Sequence, residues 1–150
     1  MLKINIMLES LANSQEAFVA ISYANTLNNN KKYSVSLITE LVMTPIIKPN
    51  CAIFPLEKAL YTDGINIATS ISTGRFLKNC IAEKKVLYLW EPEWIYRNLE
   101  YLDTHRIINS ANILISQCDK HDECIYNLAN RKSDFVIPNF DLMEILNVIS

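Results

Sequence analysis

Apolar residues recur along this chain with two periods that take turns in a regular order. KINIML alternates and then runs apolar up to the polar stretch ESLANSQE, which predicts a strand over Lys3–Leu8 followed by a loop. From Ser14 onward Phe18, Ile21, Ala24 and Leu27 fall at helical spacing until Asn28-Asn29-Asn30 stops them. YSVSLIT predicts a second strand over Tyr33–Thr39. Cys51–Phe54, hemmed by Pro45, Pro49 and Pro55, predicts a short edge strand. INIATS (65–70) is a fourth strand, Ile71–Ala82 a short helix and KVLYLW (85–90) a fifth strand. Residues 95–109 read as a helix with Ile95, Leu99, Leu102 and Ile107 inward. NILISQ (112–117), a helix over 119–130 and FVIP (135–138) complete the series.

Beyond FVIP, Asp141 and Glu144 fit a D-x-x-E capping box. Leu142, Ile145, Leu146 and Ile149 then form one apolar stripe. The stripe is expected to dock on the domain's own sheet; the alternative is a surface offered to a partner.

Strands that alternate with helices and are apolar on both faces imply a parallel sheet covered on two sides. Right-handed crossovers then give an α/β fold: a single Rossmann-like, doubly wound, mostly parallel sheet over residues 1–150. No internal repeat, low-complexity tract or linker interrupts it. Ligands in such sheets bind beyond the carboxyl ends of the strands. That directs attention to Glu9–Gln15, Thr69–Thr73, Trp90–Trp94, Ser116–Lys120 and Asn139–Asp141.

Composition narrows the chemistry. Half of the 150 residues are hydrophobic and a fifth charged, as in ordinary globular domains. No apolar run approaches a membrane span or a signal peptide, so a cytoplasmic protein is expected, with Cys51, Cys80, Cys118 and Cys124 as reduced thiols. A net charge of −2 argues against a broad phosphate-binding face, while leaving room for a local basic patch on nucleic acid. With only Gly64 and Gly74, a glycine-rich phosphate cradle is disfavoured.

WEPEW (90–94) is the most distinctive local feature. Trp90 and Trp94 could stack on sugar rings or bases, and Glu91 or Glu93 could accept a hydroxyl proton. The alternative is that the indoles close the core and Pro92 turns the chain. In TSISTGR (69–75), Ser70 and Ser72 could hold a phosphate or sugar hydroxyl beside Arg75, or simply cap a helix. Asn13 and Ser14 divide the same way between acceptor contact and capping. In CDKHDEC (118–124), Cys118, His121 and Cys124 are spread around a helix too widely for one metal, and no metal site is expected.

Two stretches and their order resemble the N-terminal, acceptor-side domain of GT-B glycosyltransferases of the retaining, nucleotide-sugar-dependent family. KINIMLESLANSQEAFVAISYANTL…YSVSLIT is similar to that family's opening strand, glycine loop, helix and second strand. SANILISQCDKHDECIYNL…DFVIPNFDL is similar to its "ADxVIAxS" strand, helix and "VIPNGVD" passage into a second domain. The departures are specific. Ser14 and Gln15 stand where the family has paired glycines, Glu16 lies one place before the usual acidic position, and Phe140 replaces Gly-Val.

The resemblance implies acceptor binding, with Glu91 or Glu93 as base or hydroxyl anchor and Trp90 and Trp94 as stacking walls. Ser10, Asn13, Ser14, Ser70, Ser72 and Asn139 would be polar contacts. It implies no cofactor bound by these residues and a nucleotide sugar as co-substrate. The partner would be a donor-binding glycosyltransferase subunit or a second copy of the chain, since a donor domain is not expected within 150 residues. The alternative is a non-catalytic binding or regulatory protein derived from a glycosyltransferase. A further alternative is a DNA-modifying half-enzyme; the Asn- and Ile-rich composition fits an AT-rich genome such as a phage's.

Overall fold

The computed structural model describes residues 1–150. Seven parallel strands form one sheet: β1 (Leu2–Leu11), β2 (Tyr33–Val42), β3 (Ile53–Phe54), β4 (Ile65–Ala68), β5 (Lys84–Leu89), β6 (Ile113–Ser116) and β7 (Phe135–Val136). Their spatial order is β3-β2-β1-β4-β5-β6-β7. The chain thus builds outward from β1 to one edge, returns to the centre and builds to the other edge. The order reverses between β1 and β4. This is a Rossmann-like α/β sheet, as the alternating pattern predicts.

Helices α1 (Gln15–Leu27) and α5 (Leu142–Ile149) cover one face, packing on Ile4, Ile6, Leu8, Val35, Val86 and Tyr88. Helices α2 (Ile71–Gly74), α3 (Tyr101–Ser110) and α4 (Asp119–Ala129) lie on the other, with a 3-10 segment at Leu56–Tyr61, around Met7, Ile38, Leu87, Leu89 and Leu114. The odd-even split of β1 between these two clusters is the period-2 geometry of a strand buried on both sides. The terminal stripe docks on its own sheet: Leu142, Ile145, Leu146 and Ile149 are all buried, and the Asp141 carboxylate accepts from the Glu144 N–H at 3.1 Å.

Several boundaries differ from expectation. Strand β1 runs on through Glu9 and Ser10 to Leu11, because β2 also continues and Ser10 pairs with Leu41; ladder hydrogen bonds do not depend on side-chain polarity. The helix expected over 71–82 is α only to Gly74. It continues in tighter turns in which Phe76 and Leu77 donate to Thr73 and Gly74. The Gly74 position admits no side chain, since a Cβ there would lie 2.8 Å from Ile107 Cγ2 of α3.

The helix expected over 95–109 begins only at Tyr101. There Glu100 caps it by accepting from the Leu102 and Asp103 N–H groups at 3.2 and 2.7 Å. Its inward residues are therefore Thr104, Ile107 and Ile108, while Ile95 and Leu102 are exposed. On α1, Phe18 also lies outward, and Ala17, Ala20, Ile21, Ala24 and Leu27 make the buried face.

Ser14 is the N-cap of α1, its hydroxyl accepting from Ala17 N–H at 3.2 Å. Ser14→Ala is expected to lower unfolding free energy by about 1 kcal/mol, read from the urea midpoint. An unshifted midpoint would show that the cap bond is dispensable.

Candidate functional site

Since all seven strands are parallel, the segments that follow β1, β4, β5, β6 and β7 open onto a single rim. Neighbouring strands bring the first three together. Thr69, just past β4, donates its N–H to Met7 O of β1 at 3.2 Å, which sets Ser70 beside the last turns of β1. Trp90 to Trp94 follow β5, the next strand over.

At this switch point lies a cleft of about 300 Å³, lined by Glu9, Glu40, Ser72, Arg75, Glu93 and Arg97 among others. Glu93 forms its wall. The residue is only 5% exposed, and its Oε1 accepts the Ile71 N–H at 3.1 Å, at the start of α2. Burial, more than any other cause, raises its carboxyl from 4.5 to about 7. The Ile71 bond opposes that rise, and Glu9 and Glu16 reinforce it. Glu16, in the first turn of α1, is likewise raised to about 7, by burial first and then by the charges of Glu91 and Glu9. Arg97 answers this negative charge. It reaches Glu9 with both carboxylate oxygens within 3.2 Å of Nη1, and the pairing raises the guanidinium above its ordinary value.

The site thus gathers Glu9 of β1, Glu16 of α1 and Glu93 after β5, with Arg97 bonded to Glu9 and its charge opposing the rise of the other two. Burial raises two of them, Glu93 and Glu16, to about 7, a range in which a carboxyl can give or take a proton.

The other candidate residues fall into distinct surroundings. Ser72 lines the same cleft. Glu91 stands close enough to raise Glu16 by its charge. The Ser70 hydroxyl is buried in a capping box with Thr73, accepting from its N–H at 3.1 Å. Ser10 is half-buried in β1 and Asn13 is exposed in the following turn. Ser14 is spent on its cap. Trp90 packs into the core, its ring centroid 5.9 Å from Tyr88 and 6.1 Å from Phe140. Trp94 packs against the opposite core. Asn139 is exposed and lines a separate groove with Phe18, Val19, Ser22 and Tyr23 of α1.

Sequence reading noted Glu16 only as a displaced acidic position and did not offer Glu9, Glu16 or Arg97 as site residues. Glu9 and Glu16 lay within or beside a loop marked for inspection. Nothing in the spacing of Arg97, 88 positions from Glu9, announces their pairing.

The turn after β7 is fixed by β5. Tyr88 Oη donates to Ile137 O at 2.7 Å and accepts the Phe140 N–H at 2.8 Å. Burial pushes this phenol up to about 12. Asn139 and Phe140 both adopt left-handed backbone, at φ 57° and 52°.

An all-parallel sheet wound in both directions from β1, with its polar cleft at the carboxyl rim of the reversal point, defines a Rossmann-like domain. No protein-family model matches the chain, and no curated protein matches it. Among solved structures it is similar to an alpha-glucosyltransferase in complex with UDP and a 13-mer DNA containing a central A:G mismatch. The TM-score is 0.55 and the identity 17%, over 83% of this chain. The chain spans 39% of that protein's length. At this identity the likeness defines the fold: the chain has a glycosyltransferase-like fold. No helix is long and apolar enough to cross a membrane.

Proposed function

We propose that this domain is the acceptor-binding half of a glycosyltransferase, completed by a donor-binding unit that lies outside residues 1–150. The observation that supports this reading is Glu93: a buried carboxylate at the switch point, one oxygen fixed by a backbone N–H and the group poised near neutrality. In the proposed step an acceptor hydroxyl enters the cleft and gives its proton to Glu93. Its oxygen forms the bond to the anomeric carbon of the donor sugar, and the bond from that carbon to the nucleoside diphosphate breaks, the electron pair leaving with the phosphate. Arg97 and Arg75 line the same cleft and would supply positive charge near the reacting groups.

The surroundings favour a neutral hydroxyl acceptor over nucleic acid. Glu9, Glu40 and Glu93 line the cleft, with Glu16 and Glu91 beside it, and a phosphate backbone would meet net negative charge there.

Affinity capture on the tagged full chain, followed by mass spectrometry and transfer assays with labelled nucleotide sugars, tests the reading. The expected result is recovery of a donor-binding transferase unit and transfer only in the combined sample. Micromolar binding of a nucleotide sugar to this chain alone would overturn the assignment of halves.

A further inference from the structure

A second cleft of about 300 Å³ lies between the turns that follow α2 and one side of α3. Four of its six lining residues, Asp103, Arg106, Ile107 and Ser110, fall at helical spacing, so a single stripe of α3 forms one wall. Arg75 and Lys78 form the other. They stand three positions apart in the tight turns beyond Gly74, a spacing that stacks side chains on one side. The walls come together because Gly74 carries no Cβ; one built there would lie 2.8 Å from Ile107 Cγ2. At this close approach the Arg75 guanidinium meets the Asp103 carboxylate at 2.7 Å.

Charge in this cleft is unbalanced. Its lining holds three cations, Arg75, Lys78 and Arg106, against one carboxylate. Asp103 is committed to Arg75, and Ser110 gives its hydroxyl proton to Ile107 O at 2.8 Å. Of the four arginines in the chain, Arg75, Arg97 and Arg131 each hold a carboxylate, and Arg106 holds none. Lys78 has no carboxylate partner either. Lys85 adds to the excess, its ammonium donating to Lys78 O at 3.4 Å. Cations gathered around one hollow repel each other and favour an anion that enters it.

An excess of two positive charges in the lining sets the class of ligand. A carboxylate ion, with a single charge, would answer half of it. A phosphomonoester carries about −1.5 to −2 at pH 7 and presents three acceptor oxygens. Those oxygens suit the Arg106 fork, the Arg75 nitrogens that Asp103 leaves free and the Lys78 ammonium. A nucleic-acid backbone asks instead for a row of cations, one for each phosphate neutralised. Here the cations converge on one hollow, at the small end of the roughly 300–1,000 Å³ usual for ligand sites.

We infer that this cleft binds the phosphoryl group of a small phosphomonoester, held by Arg75, Lys78 and Arg106. The inference does not rest on the glycosyl-transfer reading. Arg75 alone lines both clefts, and Lys78, Arg106 and Ser110 lie outside the carboxylate site.

Amide NMR of the isotopically labelled full chain, titrated at constant ionic strength, tests it. The probes are inorganic phosphate and glucose 6-phosphate, with acetate and a short DNA duplex as contrasting arms. At least one phosphate compound is expected to give saturable shifts at Arg75, Lys78, Arg106 and Ser110. Arg106 is exposed, so Arg106→Ala leaves the fold intact, which the amide spectrum itself reports. This change should weaken phosphate binding about tenfold, and Arg106→Lys, which keeps the charge without the fork, about threefold. Lys48→Ala, at an exposed lysine outside the cleft, should leave the affinity as it was. Three binding results overturn the inference: no saturable shift with either phosphate compound, acetate binding as tightly, or the duplex binding more tightly at these residues. An affinity unchanged in Arg106→Ala, or lowered equally in Lys48→Ala, would also overturn it.

Discussion

Replacing Phe140 with alanine is expected to destabilise the domain by about 3–5 kcal/mol, the range for removing a buried aromatic ring. The ring is 1% exposed and meets Tyr88 edge-on, with centroids 5.0 Å apart at 87°. It also joins the two sides of one core, packing beside Trp90 and the α5 stripe. Alanine would leave the cavity and keep the left-handed backbone at φ 52°, which strains any residue with a Cβ. Phe140→Gly relieves that strain and should recover about 1 kcal/mol of the loss. Urea unfolding of the three proteins measures both steps. A loss below about 1 kcal/mol for alanine would mean that α5 is held by its own stripe and not through the ring. Because Tyr88 ties the same turn by two hydrogen bonds, Tyr88→Phe should lie between wild type and Phe140→Ala.

The strands were legible because each carries its signal within a handful of neighbours. Both faces of β1, β2, β4, β5 and β6 are buried, so apolar runs bounded by polar turns marked them without knowledge of the partners. The terminal stripe was legible as an apolar helix face for the same reason, and the fold covers it with the domain's own sheet rather than leaving it to a partner. Helix ends were less so. Glu100 caps α3, although the residues usual at that place are Ser, Thr, Asp and Asn, so the helix start was set six residues too early. Gly74 in α2 lies so close to Ile107, a residue 33 positions away, that a Cβ would crowd it, a constraint that no local pattern records.

The site shows the same division. WEPEW marked Glu93 because of its place after a strand. Of the partners that set its chemistry, Ile71, Glu9 and Glu16 come from three other segments, and Arg97 lies four residues on. Asn5, Ser36 and Asn66 interrupt otherwise apolar strands and were not singled out in the sequence. Only the register, which pairs Asn5 with Ser36 and with Asn66, joins them into one buried hydrogen-bonded group.

On the proposed acceptor-half reading, Glu93→Gln is expected to lower glycosyl transfer by roughly 10²–10⁴-fold once the donor-binding unit is supplied, the usual contribution of a positioned proton acceptor. The same change is expected to stabilise the domain in alkaline buffer. In the folded protein the Glu93 carboxyl lies at about 7, above the ordinary 4.5, so the native state holds its proton more tightly than the unfolded chain does. Stability is then full below about pH 4.5, falls as pH rises through the window from 4.5 to 7, and stays low above it. Glutamine keeps the amide oxygen that accepts the Ile71 N–H and carries no charge to desolvate. Allowing for partial solvent screening, it should gain about 2 kcal/mol at pH 8 and nothing at pH 4. Thermal unfolding of both proteins across that range measures the difference. Glu16→Gln should act in the same direction, since its carboxyl is raised to a similar value. A pH profile identical in wild type and Glu93→Gln would remove the buried charge from the account. A stability gain with unchanged transfer would make Glu93 a structural residue. Loss of transfer together with gain of stability is the signature of a carboxylate that the fold holds in place at its own expense, because the chemistry requires it there.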